Sequence, residues 1–199
     1  MDSVATTMQK STEVEFQINQ LIEQRSSKRA YSPQPIEPEK IRSLFEAARW
    51  APSANNEQPW VYLFATKDQT ELWGKLFATL NDGNRIWAER APLLVLSMVR
   101  RNFVRSGNPN GSAKYDLGAA NAFLSLEATH LNLNVHQMGG FDREKARVDL
   151  NIPEAHEAAV MLAIGYPGEA SLLPENLKVR ELSPRERYVQ ETFVMNKIF

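Results

Sequence analysis

The chain alternates between stretches whose apolar residues recur every three or four positions and shorter stretches that are apolar throughout. Val14, Ile18, Leu21 and Ile22 have helical spacing and predict a helix over residues 14–24. Ile41, Leu44, Phe45 and Ala48 repeat at i, i+3, i+4 and i+7. That run follows Pro38, which suits a first helical turn, and it is stopped by Pro52. A capped helix start is expected at Asp68 and Glu71, with Leu72, Leu76 and Leu80 on one face, and a short helix over 84–90. Between Lys114 and about Leu133, the residues Ala119, Ala120, Phe123, Leu124, Leu126 and Leu131 cover much of the circumference, which predicts a buried central helix.

Four stretches read as strands. "WVYLFAT" (60–66) is aromatic and β-branched, and "PLLVLSMV" (92–99) and "AAVMLAIGYP" are continuous apolar runs of the kind buried on both faces. "NVHQMGGF" is a short strand ending at Gly139-Gly140, followed by a short helix over about 142–149. Residues 100–113 have no periodicity and read as a loop; from about residue 170 the tail is charged and ends in the apolar "TFVMNKIF". Few strands with long helices, no repeat and no dividing linker predict α+β or α/β with a small sheet.

Composition narrows the function more than the fold. A chain of 199 residues is long enough to bury roughly 70% of the surface its unfolded form exposes. A net charge of -1 gives no electrostatic case for nucleic acid or an anionic membrane. The absence of cysteine excludes disulfides, thiolate catalysis and cysteine-ligated zinc. The polar start, "MDSVATTMQKSTEVEF", lacks a signal-peptide core, and no apolar run approaches the ~20 residues of a membrane span, so a cytoplasmic protein is expected. His130, His136 and His156 do not have metal-ligand spacing, and no phosphate-loop, dinucleotide or serine-hydrolase motif is present.

Four polar clusters sit where elements end. "RSSKR" places Arg25, Lys28 and Arg29 around Ser26 and Ser27, a donor set suited to a phosphate monoester or simply a solvated helix end. "APSANNEQPW" (51–60) is stiffened by Pro52 and Pro59; its side-chain amides suit a planar ligand with alternating donors and acceptors, or a local turn. "MGGF" (138–141) exposes backbone N–H groups after a strand, or is an ordinary turn. "KVR" supplies Lys178 and Arg180, which matter to a phosphate only if the tail folds back.

In this order and spacing the clusters resemble the nitroreductase family of FMN-dependent oxidoreductases, from about Ile22 to Arg180, with "AARWAPSANNEQPW", "NRIWAERAPLLVLS", "YDLGAANAFLSLEATHLNL", "MGGFD" and "AIGYP" in register. The resemblance implies an α+β fold, a small mostly antiparallel sheet wrapped by helices, completed by homodimerisation with FMN at the subunit interface. It implies an N-terminal helical extension over 1–20, an FMN-binding domain over 21–182 and a C-terminal arm over 183–199 that packs on the partner. By position, Arg25, Ser27 and Arg29 would grip the FMN phosphate and ribityl chain. Ser26 stands where the family often has a second arginine, histidine or other polar residue. Lys178 and Arg180 would complete the phosphate site. Pro52, Ser53 and Ala54 would line the isoalloxazine, Asn56 would orient the pocket from the partner subunit, Asn84 would meet the pyrimidine edge, and Met138, Gly139 and Gly140 would bring main-chain N–H groups to the ring. The activity implied is ping-pong hydride transfer from NADH or NADPH to a small-molecule acceptor, a nitroaromatic or quinone, with no catalytic side chain. The same fold also serves dehalogenation, flavin destruction and azoline oxidation, and a non-catalytic flavin-binding protein is the alternative of another class.

Overall fold

The structure, a computed structural model, describes residues 10–196. Its centre is a four-stranded, fully antiparallel sheet in the order β2-β3-β5-β4: β2 (Trp60–Thr66), β3 (Leu93–Arg100), β4 (Asn134–Met138) and β5 (His156–Gly165). Outside the sheet, β1 (Lys10–Ser11) pairs with β6 (Arg187–Tyr188) and so joins the two ends of the chain. The α+β class expected from the sequence is the one observed.

The continuous apolar runs are explained by helices on both sheet faces. Leu94, Leu96 and Met98 of β3 and Met161 and Ala163 of β5 enter one core. That core is covered by α3 (Thr70–Thr79), α4 (Asp82–Ala88), α6 (Arg143–Asp149) and α7 (Glu175–Leu182). The alternate residues Leu93, Val95, Leu162 and Ile164 enter a second core under α2 (Pro38–Arg49) and α5 (Ala113–His130). Each fully buried leucine contributes roughly 1.5–3 kcal/mol, so the two central strands need no polar face. A buried polar network, Tyr62 Oη to Asn121 Oδ1 at 3.0 Å and Asn121 Nδ2 to Ser97 Oγ at 3.2 Å, sits where the β3–β5 register shifts between Ser97 and Met98.

Three expectations change. The helix predicted over 14–24 is confined to α1 (Gln20–Gln24), capped by Asn19, whose Oδ1 accepts from Leu21 N at 2.9 Å. Val14 and Ile18 are both 43% exposed: apolar spacing does not make a helix where there is no surface to bury it against. The helical extension expected over 1–20 therefore has no helix over residues 10–19, and residues 1–9 lie outside the described residues. The helix expected to be capped at Asp68 starts at Thr70, because the Gln69 carboxamide accepts from Thr66 N and Thr66 Oγ1 and closes the turn first. The tail, given no element from its charge pattern, contains α7, held by the buried Leu177 and Glu181.

The 100–113 segment is an ordered turn. Phe103 N donates to Asn108 O at 2.8 Å, Gly107 N to Phe103 O at 2.9 Å and Asn110 N to Arg101 O at 2.7 Å, with Gly107 at φ 71. Beside it Glu157 of β5 takes Lys114 Nζ at 2.5 Å and Arg101 Nη1 at 3.3 Å. The Lys114 hydrogen bond, ahead of the opposing burial, holds the Glu157 carboxyl below its ordinary value of 4.5. A depressed folded-state value means the stabilisation is present above the ordinary value and lost as pH falls through the lower one. Because these pairs are partly exposed, Glu157→Gln is expected to cost less than about 1 kcal/mol at neutral pH and nothing once the carboxylate is protonated. Urea midpoints of both proteins, compared at neutral and acid pH, check that convergence.

Candidate functional site

The RSSKR segment follows α1 and is bonded to Glu181 of α7 through Arg29 N and to His136 of β4 through the carbonyls of Ser27 and Lys28. A cavity of about 1010 Å³ opens beside it, lined by Arg25, Ser26, Ser27, Lys28, Arg180 and Arg185 among others. Arg25 Nη1 lies 3.4 Å from Ser27 Oγ. Burial, then the proximity of Arg185 and Arg187, lower the Arg25 pKa. Cations crowded in this way are relieved by an anion. Arg180 makes no ion pair among the described residues and faces the same space, whereas Lys178 is turned to Glu175 at 3.4 Å and does not line it. Arg29 is not part of the lining either; its backbone N–H is bonded to Glu181 at 2.9 and 3.0 Å, and its guanidinium has no hydrogen bond among the described residues.

The glycine turn is drawn next to this segment by β4. His136, two residues before Met138, places Nδ1 2.9 Å from Ser27 O and 3.2 Å from Lys28 O. The Met138 side chain is buried in the core, which leaves only its backbone for a ligand. Gly139 faces open space, and neither its N–H nor that of Gly140 finds an acceptor among the described residues. Gly140 is fastened from α4: Asn84 Nδ2 donates to its carbonyl at 2.9 Å, as does Asn81 N at 3.2 Å. A Cβ on Gly140 would meet Asn81 Nδ2 at 2.4 Å and would displace the side chain whose Oδ1 caps α4.

The third cluster, 51–59, is a separate wall. After Ser53 the chain makes a 3-10 turn, Ala54–Asn56, in which Asn55 and Asn56 both have φ 54, and Gln58 follows at φ 50. Asparagine tolerates the left-handed region better than glutamine, and each such residue costs of order 1 kcal/mol. The strain is held from outside. Asp116 Oδ2, on α5 and 2% exposed, accepts from Ala54 N at 3.2 Å. Ser53 Oγ accepts from Gln58 N at 3.0 Å. Arg100 Nη2 donates to Glu57 O at 2.9 Å and Gln58 O at 3.2 Å, and Glu57 Oε1 accepts from Val104 N at 2.8 Å. Pro52 is exposed and Asn56 presents its side chain to solvent. Arg100→Met is expected to lower stability by roughly 1–3 kcal/mol, since it orphans two carbonyls over a strained turn. Amide hydrogen exchange should rise selectively over 53–58; unchanged exchange there would show that the arginine does not hold the wall.

No hydrogen bond joins 52–58 to 25–29 or to 138–140 among the described residues. The chain thus ties the strand that ends in the glycine turn to the RSSKR segment through His136, and no such bond reaches the proline-asparagine wall among the described residues. The sequence reading missed Glu181, Arg185, Asp116 and Arg100, which act through backbone groups. Nothing in their spacing marks such a role. His136 lacks metal-ligand spacing, and its bonds to backbone carbonyls leave no mark in the sequence.

A sheet of this order flanked by α2 and α5 on one face, with a cation cavity and a glycine turn at its edge, defines the fold class first. Over 92% of this chain, the crystal structure of a nitroreductase family protein from Clostridium difficile matches it over 100% of its own length with a TM-score of 0.71 at 23% identity. A crystal structure described as an oxidoreductase containing FMN matches more of the detail: TM-score 0.89, 31% identity, 94% of this chain and 95% of that one. An Archaeoglobus fulgidus protein provisionally named NADH dehydrogenase/NAD(P)H nitroreductase is 30% identical over 151 residues, 74% of this chain and 83% of its own. The nitroreductase family model matches residues 22–166. The chain belongs to the nitroreductase family and is a nitroreductase-like oxidoreductase. No helix among the described residues is long and apolar enough to cross a membrane, and no group of metal-holding side chains occurs among them.

Proposed function

We propose that this protein is an FMN-dependent NAD(P)H oxidoreductase that works as a homodimer and passes reducing equivalents to a nitroaromatic, a quinone or a similar small acceptor by ping-pong kinetics. The observation that carries the reading is the cavity beside Arg25, Ser26, Ser27 and Arg180, whose backbone donors and cations match a phosphate monoester. The name of the FMN-containing relative and that of the Archaeoglobus fulgidus protein support flavin and a nicotinamide donor. When bound, flavin supplies two-electron transfer between donor and acceptor. The chain's own part is binding and orientation. Arg25, Ser26, Ser27 and Arg180 would hold the phosphate end, and Arg29, outside the lining, would add its charge from behind the segment. The free N–H groups of Gly139 and Gly140 meet the ring edge, Asn84 fixes the turn that presents them, and no side chain needs to act as a nucleophile.

A homodimer answers the separation of the wall from the rest. Pro52, Ser53, Ala54 and Asn56 of one protomer would close the ring site of its partner. The faces that such an assembly would cover are apolar and open in the single chain: Trp50 is 71% exposed at the end of α2, Tyr115 83% and Phe123 41% on α5. Phe193, Val194 and Met195 are exposed on the C-terminal arm, whose last residues, 197–199, lie outside the described residues.

The test is the absorption spectrum of the purified protein, with FMN added if it is colourless, followed anaerobically after NADH or NADPH and then after nitrofurazone or a quinone. Bleaching by a nicotinamide and recovery with either acceptor are expected. Failure to bind FMN overturns the reading. Bound flavin that neither nicotinamide bleaches assigns the protein a non-catalytic role, and bleaching without reoxidation rejects the acceptor class.

A further inference from the structure

Three carboxylates line the cation cavity, Glu13, Glu23 and Glu181, and of these only Glu181 is buried, where electrostatics alone would exclude it. Glu181, in the last turn of α7, is 5% exposed and lines the same space as Arg25, Lys28 and Arg180. A buried carboxylate beside an anion site repels the anion. Its hydrogen bonds show a different use: it accepts from Arg29 N at 2.9 and 3.0 Å and from Ala30 N at 3.0 Å.

The rest of the segment follows one pattern. Three of its carbonyls take donors: Arg185 binds that of Arg25, as well as that of Glu23 just before it, and His136 Nδ1 binds those of Ser27 and Lys28. Two carbonyl acceptors fix the proton on Nδ1, and the ring is braced 4.6 Å from Trp87. Lys28 Nζ is drawn to Glu181 O at 2.5 Å. The N–H groups of Ser26, Ser27 and Lys28 have no acceptor among the described residues. The carbonyls of Arg25, Ser27 and Lys28, which would repel a phosphate, are thus bonded, and the N–H groups left over are the ones beside the cavity.

We propose that Glu181 is a positioning residue for the anion-binding segment, fastening Arg29 and Ala30 so that the N–H groups of Ser26, Ser27 and Lys28 and the Arg25 guanidinium face a phosphate monoester, with His136 holding the same segment from β4. The proposal rests on the flavin-phosphate reading above. Glu181 and Arg185 lie beyond residues 22–166, so the tie comes from a part of the chain outside the span the family model matches.

The two roles a buried glutamate could have predict opposite signs. If it were only a nearby charge, Glu181→Gln would tighten anion binding. As a positioning group its loss sets an amide donor against backbone donors and loosens the segment. Dissociation constants for FMN and for riboflavin, which lacks the phosphate, measured on wild type, Glu181→Gln and His136→Phe, separate them. The FMN constant is expected to rise about tenfold or more in both variants while the riboflavin constant moves less than about twofold. FMN bound by Glu181→Gln as tightly as by wild type, or more tightly, overturns the proposal. So does equal weakening for both ligands, which marks a merely structural residue. If unliganded Glu181→Gln shows no cooperative thermal transition, His136→Phe decides by the same split. A wild type that does not prefer FMN to riboflavin overturns the flavin-phosphate reading itself.

Discussion

Arg25→Ala is expected to be purified largely free of FMN, with a dissociation constant raised roughly ten- to a hundredfold. A charge-assisted hydrogen bond to a phosphate contributes about 1.5–3 kcal/mol, and each 1.4 kcal/mol is tenfold. Arg25 is the cation best placed to make one. It lines the cavity, its carbonyl is pinned by Arg185, and its guanidinium reaches back over Ser27. The unliganded protein should lose little stability, because the arginine is partly buried against two like charges, Arg185 and Arg187, and its removal relieves them. Flavin content of the purified variant, titration with FMN and riboflavin, and the salt dependence of each check this. The variant should show a shallower salt slope for FMN, having lost one cation of the site. Full flavin content in Arg25→Ala would remove the phosphate assignment from this segment.

Gly168→Ala should be the most destabilising single methyl in the protein. A Cβ there would lie 2.3 Å from Tyr31 C, 2.5 Å from Tyr31 O and 2.7 Å from Ser32 N, all backbone atoms that no rotamer change can move. Segment 30–32 cannot simply retreat. Gly168 N donates to Ala30 O and Ser32 N to Tyr166 O, both at 3.0 Å, and the hydroxyl of Tyr31, a residue 1% exposed, donates to Ala163 O at 2.9 Å. Overpacking of this kind costs about 1–3 kcal/mol and occasionally more, and the upper end is expected here. That corresponds to a melting temperature lower by roughly 5–10 °C. Because Ala30 directly follows the RSSKR segment, the same variant should bind FMN more weakly. Gly74→Ala in α3 is the control: its Cβ would meet nothing within 4 Å, and a helical alanine gains about 0.5–1 kcal/mol over glycine. Equal melting temperatures for the two variants would refute the close contact of Gly168 with Tyr31.

Which elements were legible follows from what each residue answers to. The apolar runs 92–99 and 158–165 read as doubly buried strands because both faces of β3 and β5 meet helices, so neither strand keeps a polar alternation. The spacing of Ile41, Leu44 and Ala48 read as α2 because that one stripe is what the second core receives. Val14 and Ile18 have the same kind of spacing and no such partner surface in the chain, and there the reading failed. The charged tail concealed α7 because most of its surface is polar and its hold on the domain comes from two residues, Leu177 and Glu181.

For the candidate site, the sequence by itself determined the chemistry on offer: the guanidinium and hydroxyls of "RSSKR", the stiff prolines and amides of "APSANNEQPW", and the bare backbone of "MGG". Those properties belong to residue types and to their immediate neighbours, so they survive without a fold. Only the tertiary structure decided which of them share a space. It brought Arg180 to the cavity and turned Lys178 away to Glu175. It set the 51–59 wall beside Asp116 and Arg100, apart from the rest. It also put a buried glutamate from α7 on the N–H of Arg29 and a histidine from β4 on the carbonyls of Ser27 and Lys28, within one five-residue segment. The physical reason is that these ties run from side chains to backbone groups 42 to 152 residues away, and a backbone N–H or carbonyl is the same at every position, so no pattern of residue types can announce them.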